Sequence, residues 1–257
     1  MTDRHAAPDV ASAQITGARD SQEDTLMTRV LAADSGVHAG ELLLVLADGM
    51  GGHASGEVAS RLVVDQFSSS YVNGPANVQA ALRDSLHIAN EQLAIAMDET
   101  PGCAGMGTTL IGSVLRDHRL YWISVGDSPL WLYRDAALQR LNADHSMAPL
   151  LDDMARNGLM DREDALADFR RNKLRSAVAG MAIELVDVCT EPCVLQAGDI
   201  AVLASDGVLT LSAGQLVTVL QNPHDRSLQE LADDMMTLID AAGHRGQDNA
   251  SVILYRH

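Results

Sequence analysis

Three apolar stretches of this chain each run straight into an aspartate. Residues 42–47 (LLLVLA) end at Asp48-Gly49, residues 122–125 end at Gly126-Asp127-Ser128, and residues 202–205 end at Asp206-Gly207. A fourth acid, Asp248, is followed by Asn249 and leads into a last apolar run at 251–255. Short apolar runs bounded by turn residues read as buried strands. Asp-Gly alone is an ordinary turn pair, and any single one of these sites could be only that. Four acidic strand ends in one chain ask for more. A carboxylate drawn out of water needs a partner, and few cations lie nearby in the sequence. The simplest partner is a divalent metal. An all-oxygen donor set favours the hard cations Mg²⁺ and Mn²⁺. Carboxylates far apart in sequence but converging in space suit a two-metal site, with one bridging aspartate and an activated water as nucleophile.

Other chemistries fit less well. A calcium-binding EF-hand needs its acids within one loop, and no such loop occurs. Gly49, Gly51 and Ala54 match the glycine fingerprint of a dinucleotide site. Asp48 would then aim a carboxylate at the pyrophosphate, and no acidic strand end follows about 20 residues on, where the chain reads SSSYVNGPAN. There is no G-x-S-x-G elbow and no H-E-x-x-H helix. The cysteines are Cys103, Cys189 and Cys193, an odd set without a C-x-x-C pair, which argues for reduced thiols rather than a disulfide framework or zinc ribbon. The net charge of −17 argues against nucleic acid as a partner, although a metal or a local arginine can still invert the charge at one anion site. The start MTDRHAAPDV has no apolar signal segment, and no run approaches membrane-spanning length, so a cytoplasmic protein is expected.

At 257 residues and 47% hydrophobic, the chain can bury one large core or two small ones. Residues 1–9 read as a flexible tail. Helices are predicted over 55–70 and 75–98, the latter with Val78, Leu82, Leu86, Leu93 and Met97 at helical spacing. Strands at 108–115, 120–125, 130–133 and 138–141 follow closely and suggest an antiparallel meander. Residues 146–180 read as a helical insertion. Strands resume at 185–189, 200–205 and 251–255, with helices at 212–220 and 227–242 between them. Strands in runs and helices in pairs argue for an α+β fold.

Taken in order, the motifs resemble one family. They are Gly17-Ala-Arg19 with Gln22-Glu23-Asp24, then Asp48-Gly-Met-Gly-Gly-His53 with Gly56-Glu57 and Ala59-Ser60. After these come Gly107-Thr108-Thr109-Leu110, Gly126-Asp127-Ser128, Asp144-His145-Ser146, Ser205-Asp206-Gly207 and Asp248-Asn249. Over about residues 13–256 the chain resembles the metal-dependent protein Ser/Thr phosphatases of the type-2C (PPM) class, in their compact bacterial form. The resemblance implies a single phosphatase catalytic domain over 1–257: a four-layer α/β/β/α sandwich of two antiparallel sheets flanked by helices, with 146–180 as the family's variable flap. It implies Asp48 as the bridging ligand, Gly49 as a ligand through its carbonyl, and Asp206 and Asp248 on the first metal. Glu23 would bind or orient waters on the second, with Asp24 hydrogen-bonded behind. Asp127 would hold a third, weaker ion. Two ions per chain, Mn²⁺ or Mg²⁺, are thus expected, with a third held less tightly.

The same resemblance makes Arg19 the grip on the substrate phosphate, a role that suits a planar guanidinium. His53 and His145 are alternative general acids, since histidine titrates near neutral pH; either could instead be structural. Pro129 stands where relatives usually carry Arg, Gln22 where Asn is common, and Ala250-Ser251 where Ile-Thr is usual. None of these removes a ligand, but Pro129 bears on the packing around Asp127. The expected partners are phosphoserine and phosphothreonine proteins made by a cognate kinase in signal transduction, acted on by a monomer. A catalytically dead relative would have lost a ligand carboxylate, whereas Asp48, Asp206 and Asp248 are all present. A phosphatase serving a regulatory factor outside kinase signalling, such as a sigma-factor antagonist, would share the chemistry and differ only in partner.

Overall fold

Alternation within the buried runs decides the architecture. Leu43, Val45 and Ala47 point to one side and Leu42, Leu44 and Leu46 to the other, and all six are buried. A strand that is apolar on both faces belongs in the middle of a stack. The computed structural model describes residues 8–32, 35–51, 54–100, 102–221 and 225–257. In chain order its elements are β1 (Asp9–Ile15), β2 (Asp24–Val30), β3 (Leu42–Met50), α1 (Ala54–Val72), α2 (Val78–Glu99), β4 (Gly107–Thr108), β5 (Leu110–Arg116), β6 (Arg119–Val125), β7 (Leu130–Arg134) and β8 (Ala137–Arg140). The chain continues through α3 (Ala148–Arg156), α4 (Arg162–Ala167), β9 (Asp187–Val188), β10 (Cys193–Val194), β11 (Ile200–Ala204), α5 (Ala213–Leu220), α6 (Leu228–Ala241) and β12 (Ala250–Arg256).

One sheet runs β1-β12-β11-β7-β8 and the other β10-β6-β5-β3-β2, with β4 paired to β3 and β9 to β6. Leu44, Leu46, Ile111 and Trp122 of one sheet pack against Leu130, Leu132, Leu203 and Ile253 of the other. On the outer faces, α1 and α2 bury Phe67, Tyr71, Leu82 and Leu93 against Val45, Val114 and Ile123. Likewise α5 and α6 bury Leu216, Leu231 and Met235 against Val202 and Val252. The result is the four-layer sandwich of two antiparallel sheets between helices. Local sequence supports the outer layers. Asn77 caps α2 by accepting from the Ala80 N–H, and Ser212 and Ser227 open α5 and α6 with complete capping boxes.

Several expectations need correction. The four strands from 108 to 141 are not one meander: β5 and β6 pair with each other, but β7 and β8 belong to the opposite sheet. The chain changes sheets at Gly126-Asp127-Ser128, where Gly126 has φ 102°. β1 and β2 escape the pattern reading because, with only partial burial, they carry mixed polar sequences, DVASAQI and DTLMTRV. β1 begins at Asp9, inside the stretch read as a tail, and residues 1–7 lie outside the described residues. The strand expected at 185–189 shrinks to two residues. The insertion holds only two short helices, and Gly158 at φ 70° follows the first. Its ends are tied down, by Thr108 and Val178 exchanging backbone hydrogen bonds (2.9 Å each) and by Met147 N–H donating to the Lys173 carbonyl (2.9 Å). All three cysteines are free, as expected. Among the described residues no helix is long and apolar enough to cross a membrane.

Candidate active site

The antiparallel register of β2 and β3 sets Asp24 opposite Asp48. Asp48 is fixed through its backbone. Its N–H donates to Thr109 Oγ1 (3.0 Å), and its carbonyl accepts from the Thr109 N–H (2.9 Å) and Thr108 Oγ1 (2.8 Å). Gly49 N–H donates to the Glu23 carbonyl (3.1 Å). A Cβ on Gly49 would lie 2.1 Å from the Gly56 carbonyl oxygen, and one on Gly56 2.3 Å from Glu23 Oε2. Only glycine lets these backbones and the Glu23 carboxylate come so close.

Asp206 opens a short 3₁₀ turn after β11, and Asp248 sits just before β12. The neighbouring strands thus carry both acids to the sandwich edge that holds Asp48. Burial, then repulsion from Asp24, Asp206, Asp248 and Asp127, drives the Asp48 carboxyl well above the usual carboxylate range. Burial and Asp248 raise Asp206. Burial raises Asp24 to about 6, although Ser205 Oγ donates to its Oδ2 (2.7 Å). Burial, Asp206 and Asp144 push Asp127 up to about 7.

Two carboxylates thus come from each sheet's edge residues onto a fifth at the crossing between sheets; Arg19 Nη2 lies 2.6 Å from Asp248 Oδ2, and Arg140 partly offsets the charge at Asp127. Asp24 Oδ1 is buried without a hydrogen-bond partner. Among the described residues no three His, Cys, Asp or Glu side chains close around one point as a finished cage; the arrangement is an open carboxylate edge. Its donors are all oxygen and short of positive charge, which fits hard divalent cations.

Supporting groups were less visible in sequence. Asn249 Oδ1 accepts from the Glu23 N–H (2.7 Å), while Nδ2 donates to the Thr16 and Ser21 carbonyls (2.8 and 2.9 Å). It ties the Glu23 loop to β12. Asn142 and Arg140 were not singled out at all. Asn142 is buried, donates to the Ser128 carbonyl (3.0 Å) and accepts from the Leu130 N–H (2.8 Å), and Arg140 Nη2 donates to the Asp127 carbonyl (2.7 Å). Their only sequence signal is polar residues alternating with Leu141 and Ala143 at and just after the end of β8. These bonds flank Pro129, whose carbonyl accepts from the Ala204 N–H (3.0 Å).

His145 is buried, its Nδ1 accepts from the Gly126 N–H (3.2 Å), and burial lowers its pKa. Through this bond it braces the Asp127 loop. His53, the other candidate, lies outside the described residues. A cleft of about 770 Å³ opens over Asp127, Asp206 and Asp248, with further walls from the flap and from residues 244–247.

The family model for protein phosphatase 2C matches residues 31–234. A serine/threonine phosphatase, stp, of Listeria welshimeri is 31% identical over 218 residues, covering 82% of this chain and 83% of the relative. The serine/threonine protein phosphatase PstP of Mycobacterium tuberculosis is 32% identical over 237 residues, covering 91% of this chain and 44% of PstP. The crystal structure of the M. tuberculosis phosphatase PstP/Ppp superposes with a TM-score of 0.79 at 28% identity, covering 96% of this chain and 97% of that one. A structure of the PstP catalytic domain in complex with two manganese ions superposes with a TM-score of 0.75 at 27% identity, covering 96% of each. The chain belongs to the protein phosphatase 2C family and is a serine/threonine protein phosphatase.

Proposed function

We propose that the chain hydrolyses phosphoserine and phosphothreonine on proteins with two divalent cations, Mn²⁺ or Mg²⁺, held at the carboxylate edge. The observation that carries this reading is the convergence of Asp48, Asp127, Asp206 and Asp248: burial and neighbouring carboxylates raise the first three, and divalent cations would offset that crowded charge. Asp48 would bridge the two ions, Asp206 and Asp248 would hold the first, and Glu23 and the Gly49 carbonyl would serve the second. When bound, the cations would activate the attacking water and offset the charge of the phosphoryl group.

The chain's own groups do the rest. Thr108 and Thr109 hold Asp48 in place, and the Asp24 carboxyl accepts Ser205 and stands behind the ligands. Arg19, paired with Asp248, would turn its fork to the phosphate oxygens once a cation takes that carboxylate. Asp127 would carry the third and weakest ion, since it adds a single carboxylate there. The complex of PstP with two manganese ions supports the stoichiometry. The expected substrates are products of a cognate kinase, met in the cytoplasm by a monomer.

Metal counting tests the assignment. Calorimetry with Mn²⁺ should find two tight sites per chain. Asp206→Asn and Asp248→Asn should each lose one of them and lower turnover by orders of magnitude. Asp127→Ala should keep both and lose most activity. Two tight sites surviving in Asp206→Asn would overturn the ligand set.

A further inference from the structure

The cleft over the carboxylates, about 770 Å³, has the size of a pocket for a whole small molecule and far exceeds one phosphoryl group. Residues beside the phosphorylated side chain therefore enter it too, and what they meet is mostly spoken for. Of the acids in its walls, Asp127, Asp206 and Asp248 face the proposed cations, and Asp144 pairs with Arg140 at 3.2 Å. The wall arginines are Arg171 and Arg245. Arg171 is held in a two-pronged pair by Asp152 (2.8 and 3.0 Å). Arg245 is exposed and has no ion-pair partner among the described residues.

Its mounting is rigid. α6 ends at Ala241, and Gly243 follows with φ 62°. The Gln247 N–H then donates back to the His244 carbonyl (3.1 Å), closing a four-residue turn with Arg245 and Gly246 at its corners. Gln247 bolts that turn to the site: it is buried, accepts from Thr210 Oγ1 (2.7 Å), donates to the Gly207 carbonyl (3.1 Å), and its own carbonyl accepts from the Ala18 N–H (2.8 Å). An unmatched guanidinium is thus displayed three positions before Asp248, on a turn anchored beside Asp206.

We propose that Arg245 is a specificity-determining residue. It takes an anionic side chain, a carboxylate or a second phosphate, lying within a few residues of the phosphorylated Ser or Thr. The inference rests on the phosphatase reading above and names the substrate class for it. The net charge of −17 repels such peptides at long range. Physiological salt confines that field to about 8 Å, whereas the arginine contact is made at hydrogen-bond distance.

The test uses phosphothreonine peptides that differ at one position two residues away, carrying Ala, Glu, Lys or phosphoserine, with p-nitrophenyl phosphate as a substrate lacking any neighbour. With Mn²⁺, the Glu peptide should exceed the Ala peptide in kcat/KM by about fivefold, mostly through KM, as one exposed charge pair allows. The phosphoserine arm tells whether a second phosphate is preferred to a carboxylate. Arg245→Ala should bring these ratios to about one and change p-nitrophenyl phosphate turnover by less than about twofold. Arg245→Glu should prefer the Lys peptide, and Arg245→Lys should restore part of the original preference. A flat ratio in the parent enzyme, or an unchanged ratio in Arg245→Ala, would overturn the inference while leaving the phosphatase reading intact. Equal losses on all substrates would make Arg245 merely structural. No turnover of any substrate would sink both readings.

Discussion

Replacing Asp127 by Asn should stabilise the metal-free protein while disabling the enzyme. In an unfolded chain this carboxyl ionises near its ordinary 3.8; in the fold, burial and the neighbouring Asp206 and Asp144 hold it near 7. An acid raised in this way costs the fold nothing below the lower value. The cost grows through the window between the two and is complete above the higher one. At pH 7.5 it is about 4 kcal/mol if 1.36 kcal/mol is taken for each tenfold change, and solvent at the cleft mouth reduces the expectation to about 2–4 kcal/mol. At pH 5 the same arithmetic leaves about 1.5 kcal/mol. Asn keeps the shape without the charge. Calorimetry in excess chelator should therefore find Asp127→Asn melting on the order of 5–15 °C above the parent at pH 7.5, with less than half that gap at pH 5. A variant that melts lower, or a gap that does not depend on pH, would refute the electrostatic account of the site.

Arg19→Ala should raise KM for phosphopeptides more than it lowers kcat, because a contact made equally to ground and transition state supplies uniform binding; steady-state kinetics read this directly. Gly112→Ala should destabilise by roughly 1–3 kcal/mol through overpacking, because a Cβ there would sit 2.3 Å from Phe67 Cζ in the outer core; a denaturant midpoint measures it. Asn249→Ala removes the partner of the Glu23 N–H and of the Ser21 carbonyl and one of two donors to the Thr16 carbonyl, so a loss of about 1–3 kcal/mol is expected. Weaker Mn²⁺ binding by calorimetry should accompany it.

The four acidic strand ends were legible because each couples two strong local signals, an apolar run and a turn; that Asp24 faces Asp48 across the register of β2 with β3 is a structural finding. The helices were legible from spacing, though Pro75 marked a loop and Asn77 the true start of α2. The sheet exchange at Asp127 was not legible: nothing in GDSP tells a hairpin from a crossing, since both need Gly126 at positive φ. Nor were the edge strands β1 and β2, whose half-burial leaves no clean alternation. The bracing bonds of Asn142, Arg140 and Asn249 were hidden for a third reason. Their bonds reach backbone groups up to 233 positions away in the chain, and no spacing rule foresees a partner that only tertiary folding supplies. Arg19 was placed at the site by its motif, but its pairing with Asp248 emerges only once both lie at the same edge.

The central claim is that phosphoester hydrolysis here runs through divalent cations held by Asp48, Asp206 and Asp248. Its most direct test is phosphothreonine-peptide turnover by the purified chain with Mn²⁺, in excess chelator, and after Mn²⁺ is returned. The account predicts turnover with Mn²⁺, none in chelator and full recovery on return. Undiminished turnover in excess chelator would contradict it.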